Sequence, residues 1–386
     1  MTGTGLRITD GWIRGADLQA VLGCLTAAGH QAYLVGGCVR DALLSVPVND
    51  IDIATDARPE RVAELASAAG LKVVPTGIEH GTLTIVAAGK PYEVTSFRRD
   101  VESDGRRAVI AYSAEIAEDA ARRDFTMNAL YADAEGHVIA PLGGVEDLLA
   151  RRVRFVGRPE DRIREDYLRI LRFFRFHALY GDPEQGLDAE GLAASAANLA
   201  GIDTLSRERI GHEMSRLLAA TDPAPALGAM QASGVLAKVL PGADARALGP
   251  LVHLEAGRAA PRWLRRLAAL GGEDAAGALR LTRADARHLA ELGAAVGNGA
   301  GAAELAYRFG ADAAEDILLL RAALLEAPLG AGDAAAIALG AGARFPLTGA
   351  DLAGRFSGPA LGAELQRLER RWIASGFQLS REQLLA

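Results

Sequence analysis

The sequence has very little lysine and almost no cysteine. Three of its 386 residues are lysine, and the two cysteines are Cys24 and Cys38. Two cysteines at this spacing form neither a Cys-x-x-Cys pair nor a disulfide framework, so we expect a reducing compartment, the cytoplasm. The sequence also lacks an apolar run long enough to cross a bilayer and a charged-then-apolar secretory start. We therefore expect no membrane partner.

Because lysine is scarce, arginine supplies nearly all of the positive charge. The formal net charge of −7 excludes a protein that coats nucleic acid indiscriminately, since that mode of binding needs a basic excess. Between residues 151 and 175, however, nine arginines stand against four carboxylates. Arginine makes planar, forked contacts with phosphates and bases. This segment is either a local polyanion site or an ordinary solvated face.

The first 140 or so residues mix strand and helix patterns. Segments 39–45 and 59–70 predict helices, and the second begins at Pro59 and ends at Gly70. Short β-branched or alternating runs bounded by Gly, Pro or Asn predict the strands, which are 31–35, 50–55, 71–74, 81–88 and 91–97. The mixture indicates a domain built from both strands and helices.

After about Pro141 the strand pattern disappears. Long segments rich in Ala, Leu and Arg, joined by loops with Gly, Pro or Asp, predict helices throughout. These segments are 165–180, 206–220, 225–240, 260–272, 282–296 and 313–327. Ser206 is placed to cap the second of them. The chain therefore predicts a mixed first domain followed by helices.

The stretch "LVGGCVRDALLSVPVNDIDIAT" (34–55) contains two acids one residue apart. On a strand, Asp50 and Asp52 share one face, where they repel each other unless a cation, best a divalent metal, lies between them. Gly36 and Gly37 let the backbone approach a ligand, and the next helix points N–H groups at it. A triphosphate fits there, with Arg40 on its phosphates. The alternative is an ordinary pair of surface aspartates.

Five segments in order resemble the motifs of one family, the class II tRNA nucleotidyltransferases and bacterial poly(A) polymerases of the DNA polymerase β-like superfamily. They are "GGCVRD…DID", "RRDFTMNAL" (122–130), "PLGGVEDLLARRVRFVG" (141–157), "EDYLRILRFFRF" (165–176) and "SRERIGHE" (206–213). They cover roughly residues 30 to 215, and the last 170 residues show only a general likeness. Five ordered motifs are far more specific than any one.

The resemblance implies a fold and a division of the chain. The fold is an α+β nucleotidyltransferase head, a mixed sheet with flanking helices, followed by an all-α neck, body and tail. We expect the head over 1–140, the neck over 141–217, an RNA-binding body over 218–285 and the tail over 286–386.

The resemblance also implies roles for residues of the first two motifs. Asp50 and Asp52 would bind a catalytic pair of Mg²⁺ ions, Gly37 and Arg40 would touch the nucleotide phosphates, and Arg123 would help to hold the triphosphate. The carboxylate pair and the glycine turn independently favour the same metal and phosphate chemistry.

A third carboxylate is desirable for the second ion, and Glu93 is the candidate. It lies in the predicted strand 91–97, with Thr95 and Phe97 on its face. The alternative is a surface glutamate that pairs with Arg98 or Arg99.

The fourth motif implies nucleotide selection. On a continuous helix, Asp166 and Arg169 would be neighbours, one an acceptor and the other a forked donor, and the resemblance implies that they recognise the edges of CTP and ATP. Arg172 and Arg175 continue the three-residue step and complete the candidate nucleotide-binding set. Because each step drifts about 60° around the helix, we expect Arg175 to support the fold or to meet RNA. The other positions are apolar and predict a buried helix.

Residues 98–112 predict a charged loop with a turn at Asp104–Gly105. The resemblance implies a flexible element associated with the switch to ATP, and the alternative is an ordinary solvated loop.

The function that these features imply is template-independent addition of C, C and A to the tRNA 3′ end from CTP and ATP, with Mg²⁺ as cofactor and no obligate protein partner. Two alternatives keep the chemistry: a poly(A) polymerase, or a partial enzyme that adds only CC or only A. A third, from another class, is a non-catalytic RNA-binding protein on the same scaffold.

Overall fold

The computed structural model describes residues 3–78, 81–103 and 108–386. The chain forms two compact units, Met1–Pro241 and Gly242–Ala386. This division does not test the finer separation into head, neck, body and tail, which stays a prediction. Among the described residues, no helix combines the length and the apolar character that crossing a membrane requires.

The described part of the first unit contains ten strands. They are β1 Gly3–Arg7, β2 Ala32–Val35, β3 Asp52–Thr55, β4 Lys72–Gly77, β5 Thr82–Ala87, β6 Lys90–Ser96, β7 Arg98–Ser103, β8 Ala108–Tyr112, β9 Tyr131–Ala132 and β10 His137–Ile139. Eight of them form one sheet in the order β1-β10-β9-β2-β3-β6-β5-β4. Strands β3 and β6 run parallel while their other neighbours pair antiparallel, so the sheet is mixed.

The helices of the first unit surround this sheet and then continue the chain. They are α1 Ala16–Thr26, α2 Gly37–Leu43, α3 Pro59–Ala68, α4 Ile116–Ala121, α5 Gly144–Leu149, α6 Pro159–Glu165, α7 Leu168–Tyr180, α8 Ala189–Ala197, α9 Arg207–Leu218, α10 Ala224–Ala232 and α11 Val235–Val239. Helices α1 and α3 contact each other and the strands β5 and β6. The buried side chains Ile53, Leu83 and Val94 lie on one face of the sheet in register. Asp52 and Glu93 therefore lie on the opposite face.

The second unit consists of helices and short turns. Its helices are α12 Leu248–Glu255, α13 Trp263–Leu270, α14 Ala275–Ala278, α15 Arg283–Val296, α16 Ala302–Phe309, α17 Ala311–Leu325, α18 Asp333–Gly342, α19 Gly349–Leu352, α20 Gly358–Ala374 and α21 Arg381–Leu385. A core near the C-terminus is built around the buried Trp372, with Leu347, Leu352, Leu368 and Leu384. The predicted fold class, a mixed sheet with flanking helices followed by an all-α region, is confirmed.

The interpretation of 98–112 as a loop is wrong for the described residues. Strands β7 and β8 pair antiparallel as a separate two-stranded sheet, with Arg98 opposite Tyr112. Valine, isoleucine and tyrosine in this segment suit a strand, and the charged residues beside them obscured that preference. The predicted turn at Asp104–Gly105 lies outside the described residues.

Candidate active site

Three carboxylates meet where β3 and β6 lie side by side. Asp52 is the first residue of β3 and stands in register with Glu93 on β6. Asp50 lies in the loop before β3, so the expectation that both aspartates belong to the strand is wrong. Pairing of β3 with β6 begins only at Asp52, and its pairing with β2 only at Ile53, which leaves Asp50 beyond the paired backbone. All three acids line one cleft of about 720 Å³.

The electrostatics of this cluster fit a divalent cation. Partial burial, together with the nearby charges of Glu93 and Asp50, raises the pKa of Asp52 to about 6, and Arg123 opposes this shift. Within the described part of the chain, no ion pair joins any of the three acids to a basic side chain. Clustered carboxylate oxygens without a protein cation are the ligands that Mg²⁺ or Mn²⁺ favours.

Glu93 and Arg99, one of the two arginines considered as its partner, line different depressions of the surface. Arg99 lines a different depression, together with Glu118 and Arg122. Glu93 faces the cleft beside Asp52 instead.

A second cleft, of about 530 Å³, shares Asp50 and Asp52 with the first. Its other wall is rich in arginine. The structure brings six further predicted residues to this wall, which are Gly36, Gly37, Arg40, Arg123, Arg172 and Arg175. We call it the arginine cleft.

The glycine turn is required at the entrance of α2. Gly36 precedes the helix with a φ of +73°, a conformation that side chains rarely adopt. A Cβ atom at this position would lie 3.3 Å from Nη1 of Arg123. Gly37 is the first residue of the helix, whose N-terminal N–H groups have no partner within the helix. The turn therefore lets backbone donors and Arg123 share the same wall.

Arg40 is held in place from three sides. Its Nε donates to Asp41 at 2.8 Å, its Nη1 to Oδ1 of Asn128 at 2.6 Å and its Nη2 to the hydroxyl of Tyr180 at 2.7 Å. The guanidinium also lies 4.0 Å from the centre of the Tyr180 ring. These contacts fix the orientation of the buried Arg40 side chain before any ligand arrives.

Arg123 is fixed by a buried acid and a tyrosine. Its Nη2 donates to Oδ2 of Asp119 at 3.0 Å, and its Nε donates to the hydroxyl of Tyr131 at 3.1 Å. The Tyr131 hydroxyl in turn donates to Asp119 at 2.7 Å. Burial opposes the charge of Arg123, but Tyr131 and Asp119 raise its pKa overall, so the cation persists at every relevant pH.

Arg172 joins α7 to the second motif. Its Nε donates to Oδ2 of Asp124 at 2.8 Å, while Asp124 also accepts from Nδ2 of Asn128 at 2.9 Å. Burial raises the pKa of Asp124, but Arg172 and Asn128 lower it by more, so the carboxylate stays ionised. Because Asn128 also binds Arg40, one hydrogen-bonded chain links two arginines of the cleft.

Arg175 behaves as its helical position predicts. It is buried and its Nε donates to Oε2 of Glu213 on α9 at 2.6 Å, which ties α7 to α9. The prediction that this side chain supports the fold agrees with the contact, although Arg175 also lines the arginine cleft.

The expectation that Asp166 and Arg169 lie on one continuous helix is wrong in this structure. Asp166 has φ −155° and ψ 106°, which separates α6 from α7. Its carboxylate accepts from the backbone N–H of Leu168, a local contact that competes with helix continuation. Asp166 pairs with Arg209 at 2.6 Å and Arg169 with Glu165 at 2.5 Å. Neither residue lines the arginine cleft.

The apolar positions of this segment are nevertheless buried as predicted. Leu168, Ile170, Leu171, Phe173, Phe174 and Phe176 are all inaccessible to solvent or nearly so. Ser206 also caps α9, since its hydroxyl accepts from the backbone N–H of Arg209.

Several residues that organise the arginine cleft were not predicted. Asp124 and Asn128 lie four apart in "RRDFTMNAL", and two polar residues within an apolar run are a signal of buried hydrogen bonding. Tyr180 and Arg216 carry no local signal, because their roles depend on the packing of α7 and α9.

A further group of potential metal ligands lies away from both clefts. Asp133, Glu135 and His137 have ligand atoms within 4.8 Å of one another. Glu135 and His137 are exposed, and His137 already binds Asp133 at 3.0 Å. This exposed group lines neither cleft.

Two family models match the chain. Residues 32–154 match the "Poly A polymerase head domain", and residues 187–246 match the "Probable RNA and SrmB- binding site of polymerase A". The first match contains the carboxylates and Arg123.

Solved structures extend the similarity over almost the whole chain. The crystal structure of the Bacillus stearothermophilus CCA-adding enzyme in complex with CTP is 30% identical, with a TM-score of 0.74, over 93% of this chain and 92% of that one. The chain belongs to the class II tRNA nucleotidyltransferase and bacterial poly(A) polymerase family. The predicted resemblance is thus confirmed. A Thermotoga maritima CCA-adding enzyme complexed with tRNA shares the fold of this family member, with a TM-score of 0.70 at 18% identity.

Curated relatives match over about half of this chain. The human mitochondrial CCA tRNA nucleotidyltransferase 1 is 38% identical over 52% of this chain and 46% of its own length. The CCA-adding enzyme of Streptococcus gordonii is 42% identical over 56% of this chain and 53% of its own. The chain spans about half the length of the curated relatives it matches.

Proposed function

We propose that this protein is a CCA tRNA nucleotidyltransferase, which adds C, C and A to the tRNA 3′ end from CTP and ATP without a template. The observation that carries the proposal is the junction of two clefts at Asp50 and Asp52, one with Glu93 and the other walled by arginines. Nucleotidyl transfer needs this combination of metal ligands and phosphate-binding cations.

The three carboxylates are the proposed metal ligands, and Mg²⁺ is the proposed ion. When bound, it would activate the RNA 3′-hydroxyl for attack on the α-phosphate and stabilise the departing pyrophosphate. Asp50 and Asp52 border both clefts, so they lie where nucleotide and primer would meet. Glu93 borders only the first cleft, which supports a place for it on the primer side.

The arginine cleft is the proposed triphosphate site. Arg40, Arg123 and Arg172 are each oriented by hydrogen bonds to protein partners, so little conformational freedom is lost when phosphates bind. The backbone N–H groups at the start of α2 add neutral donors on the same wall.

We propose that Asp166 and Arg169 select the base, which requires a change in their present ion pairs. Asp166 would accept from the exocyclic amino group that C and A share, whereas U and G present an oxygen there. In this structure Asp166 is bound to Arg209 and Arg169 to Glu165. Recognition would therefore require both ion pairs to open when the nucleotide enters.

We also propose that the neck arginines dock tRNA through its phosphates. Arg158 and Arg164 are 79% and 62% exposed, and their contacts to Asp161 are long, at 3.9 and 3.8 Å. Such loosely paired surface arginines are available to a polyanion, and duplex RNA is recognised mainly by shape and backbone.

One extension assay separates the candidate functions. Purified protein, Mg²⁺ and labelled tRNA lacking CCA are incubated with CTP, ATP or both, and products are resolved at single-nucleotide length. We expect addition to stop after CCA when both nucleotides are present. A long A-tail would indicate a poly(A) polymerase, and a halt at CC a partial enzyme. No extension at all would favour the non-catalytic RNA-binding alternative.

A further inference from the structure

Arg216 is a residue of the arginine cleft that none of the sequence motifs singled out. It lies on α9, three residues beyond the fifth motif, and its side chain is exposed. It lines the same cleft as Gly36, Gly37 and Arg40.

The other four arginines of this cleft each form an ion pair with a different carboxylate, although the carboxylate of Asp119 also pairs with Arg122 at 2.9 Å. The distances between nitrogen and oxygen in the four ion pairs are 2.8, 3.0, 2.5 and 2.6 Å, in the order of the pairs that follow. The pairs are Arg40 with Asp41, Arg123 with Asp119, Arg172 with Asp124 and Arg175 with Glu213. Across the residues that the structure describes, Arg216 has neither an ion pair nor a hydrogen bond from its side chain.

The guanidinium of Arg216, which has no carboxylate partner among the described residues, favours the binding of an anion in the arginine cleft. Burial lowers the pKa of Arg175, and the positive charges of Arg172 and Arg216 act in the same direction. Added negative charge in the cleft would relieve this repulsion. The forked N–H groups of an arginine can donate two parallel hydrogen bonds to the oxygens of one phosphate. Such charge-assisted hydrogen bonds are stronger than hydrogen bonds to neutral acceptors such as water.

We infer that Arg216 is a phosphate-binding residue, which holds the triphosphate of the incoming nucleotide. This inference rests on the proposed function, because it takes the arginine cleft as the nucleotide side of the reaction. Arg216 acts on the phosphates and not on the base, so its contribution is the same for CTP and ATP.

The test compares Arg216→Gln and Arg216→Lys with a matched control, Arg207→Gln. Arg207 is also exposed and lies at the other end of α9. Nine residues turn a helix by about 900°, so Arg207 points about half a turn away from Arg216. It does not line the arginine cleft.

Two readouts are measured for each variant. The first is the KM for CTP, for ATP and for tRNA in the extension assay. The second is the binding of sodium tripolyphosphate, followed by calorimetry, which needs no catalysis. If wild-type protein extends no tRNA, the proposed function fails, while tripolyphosphate binding still decides whether Arg216 holds phosphates.

We expect Arg216→Gln to raise the KM for both nucleotides by about ten- to a hundredfold and to weaken tripolyphosphate binding by a similar factor. Arg216→Lys keeps the charge and should recover most of the loss, while Arg207→Gln stays close to wild type. An unchanged nucleotide KM in Arg216→Gln would overturn the inference. So would a rise in the tRNA KM alone, since that would place Arg216 on the RNA.

Discussion

Each unit contains a cluster of acidic side chains, and the two clusters differ in whether arginines of the same unit pair with the acids. In the second unit, the buried Arg265 and Arg266 surround the equally buried Glu255 and Asp316. Arg265 donates to Glu255 at 2.8 Å and to Asp316 at 2.6 Å, and Arg266 donates to Glu255 at 2.7 Å. Each acid is therefore compensated by a guanidinium of the same unit.

Among the residues that the structure describes, three acids of the first unit have no such ion pair. Asp50, Asp52 and Glu93 lie together without an ion pair to any described residue. Partial burial, together with the charges of Glu93 and Asp50, raises the pKa of Asp52, and Arg123 only partly opposes this shift. Buried charge that is matched inside the protein stabilises a particular packing, whereas charge left unmatched at a cleft requires a ligand.

The largest effect is expected from Asp52→Asn. The amide keeps the shape of the side chain but removes a metal-binding charge, so extension should fall by at least on the order of a thousandfold. Folding should be preserved, because repulsion with Glu93 and Asp50 disappears. Extension rates and melting temperatures of the purified variant check both parts. A variant that extends tRNA normally would remove Asp52 from the metal site.

Mutation of the buried cluster around Glu255 in the second unit should lower the stability of the protein. Glu255→Ala leaves two buried guanidiniums without their shared acid, and we expect the free energy of unfolding of this unit to fall by about 3–5 kcal/mol. The matched control is Glu304→Ala, which breaks the half-exposed pair with Arg308 and should cost less than about 1 kcal/mol. Urea unfolding measures both. Similar losses in the two variants would contradict the distinction between matched and surface charge.

A smaller effect, on the KM for nucleotides, is expected when a contact that orients Arg40 is removed. Tyr180→Phe removes the hydrogen bond to Arg40 but keeps the ring beneath the guanidinium. The KM for nucleotides should rise about three- to tenfold with little change in stability. Tyr33→Phe is the control, since among the described residues its hydroxyl makes a single, long hydrogen bond, to Gln31 at 3.4 Å. If both variants behave alike, Tyr180 does not orient Arg40 for phosphate binding.

The smallest effect concerns pH. The pKa of Asp52 is raised from 3.8 to about 6, so the folded state binds more protons than the unfolded state between these values. Metal-free protein should therefore lose stability as the pH rises from about 4 to 6. Because Asp52 is accessible from the cleft, screening reduces the effect and we expect about 2 °C in melting temperature.

The comparison for this prediction is Asp52→Asn in the presence of EDTA. Its advantage in melting temperature over wild type should grow between pH 5 and pH 7. A difference that stays constant across this range would show that Asp52 does not titrate there.

The alternation of apolar residues predicted five of the ten strands in the described part of the head, and it missed β1 and β7 to β10. Segments 81–88 and 91–97 became β5 and β6, because one face of each strand packs on helices and must be apolar. Patterns failed where a single side chain changed the backbone. The predicted helix 165–180 is interrupted at Asp166, whose carboxylate binds the Leu168 N–H.

The predicted site residues were mostly brought together, but their partners were not foreseen. Gly36, Arg40 and Arg123 lie in motifs that are local in the sequence. The contacts that orient them connect distant segments, such as Arg40 with Tyr180, 140 residues away. Local patterns contain no information on such pairs, which depend on how α7 packs against α9 and the head.

Metal binding by Asp50, Asp52 and Glu93 can be measured by titration with Mn²⁺, a paramagnetic substitute for Mg²⁺, followed by electron paramagnetic resonance. Wild-type protein, Asp52→Asn and the control Asp133→Asn, which removes a ligand from the exposed acidic group, are compared. We predict that wild type and Asp133→Asn share a Mn²⁺ site that Asp52→Asn lacks. Equal binding by Asp52→Asn and wild type, with loss in Asp133→Asn, would contradict the claim that the uncompensated acids hold the metal.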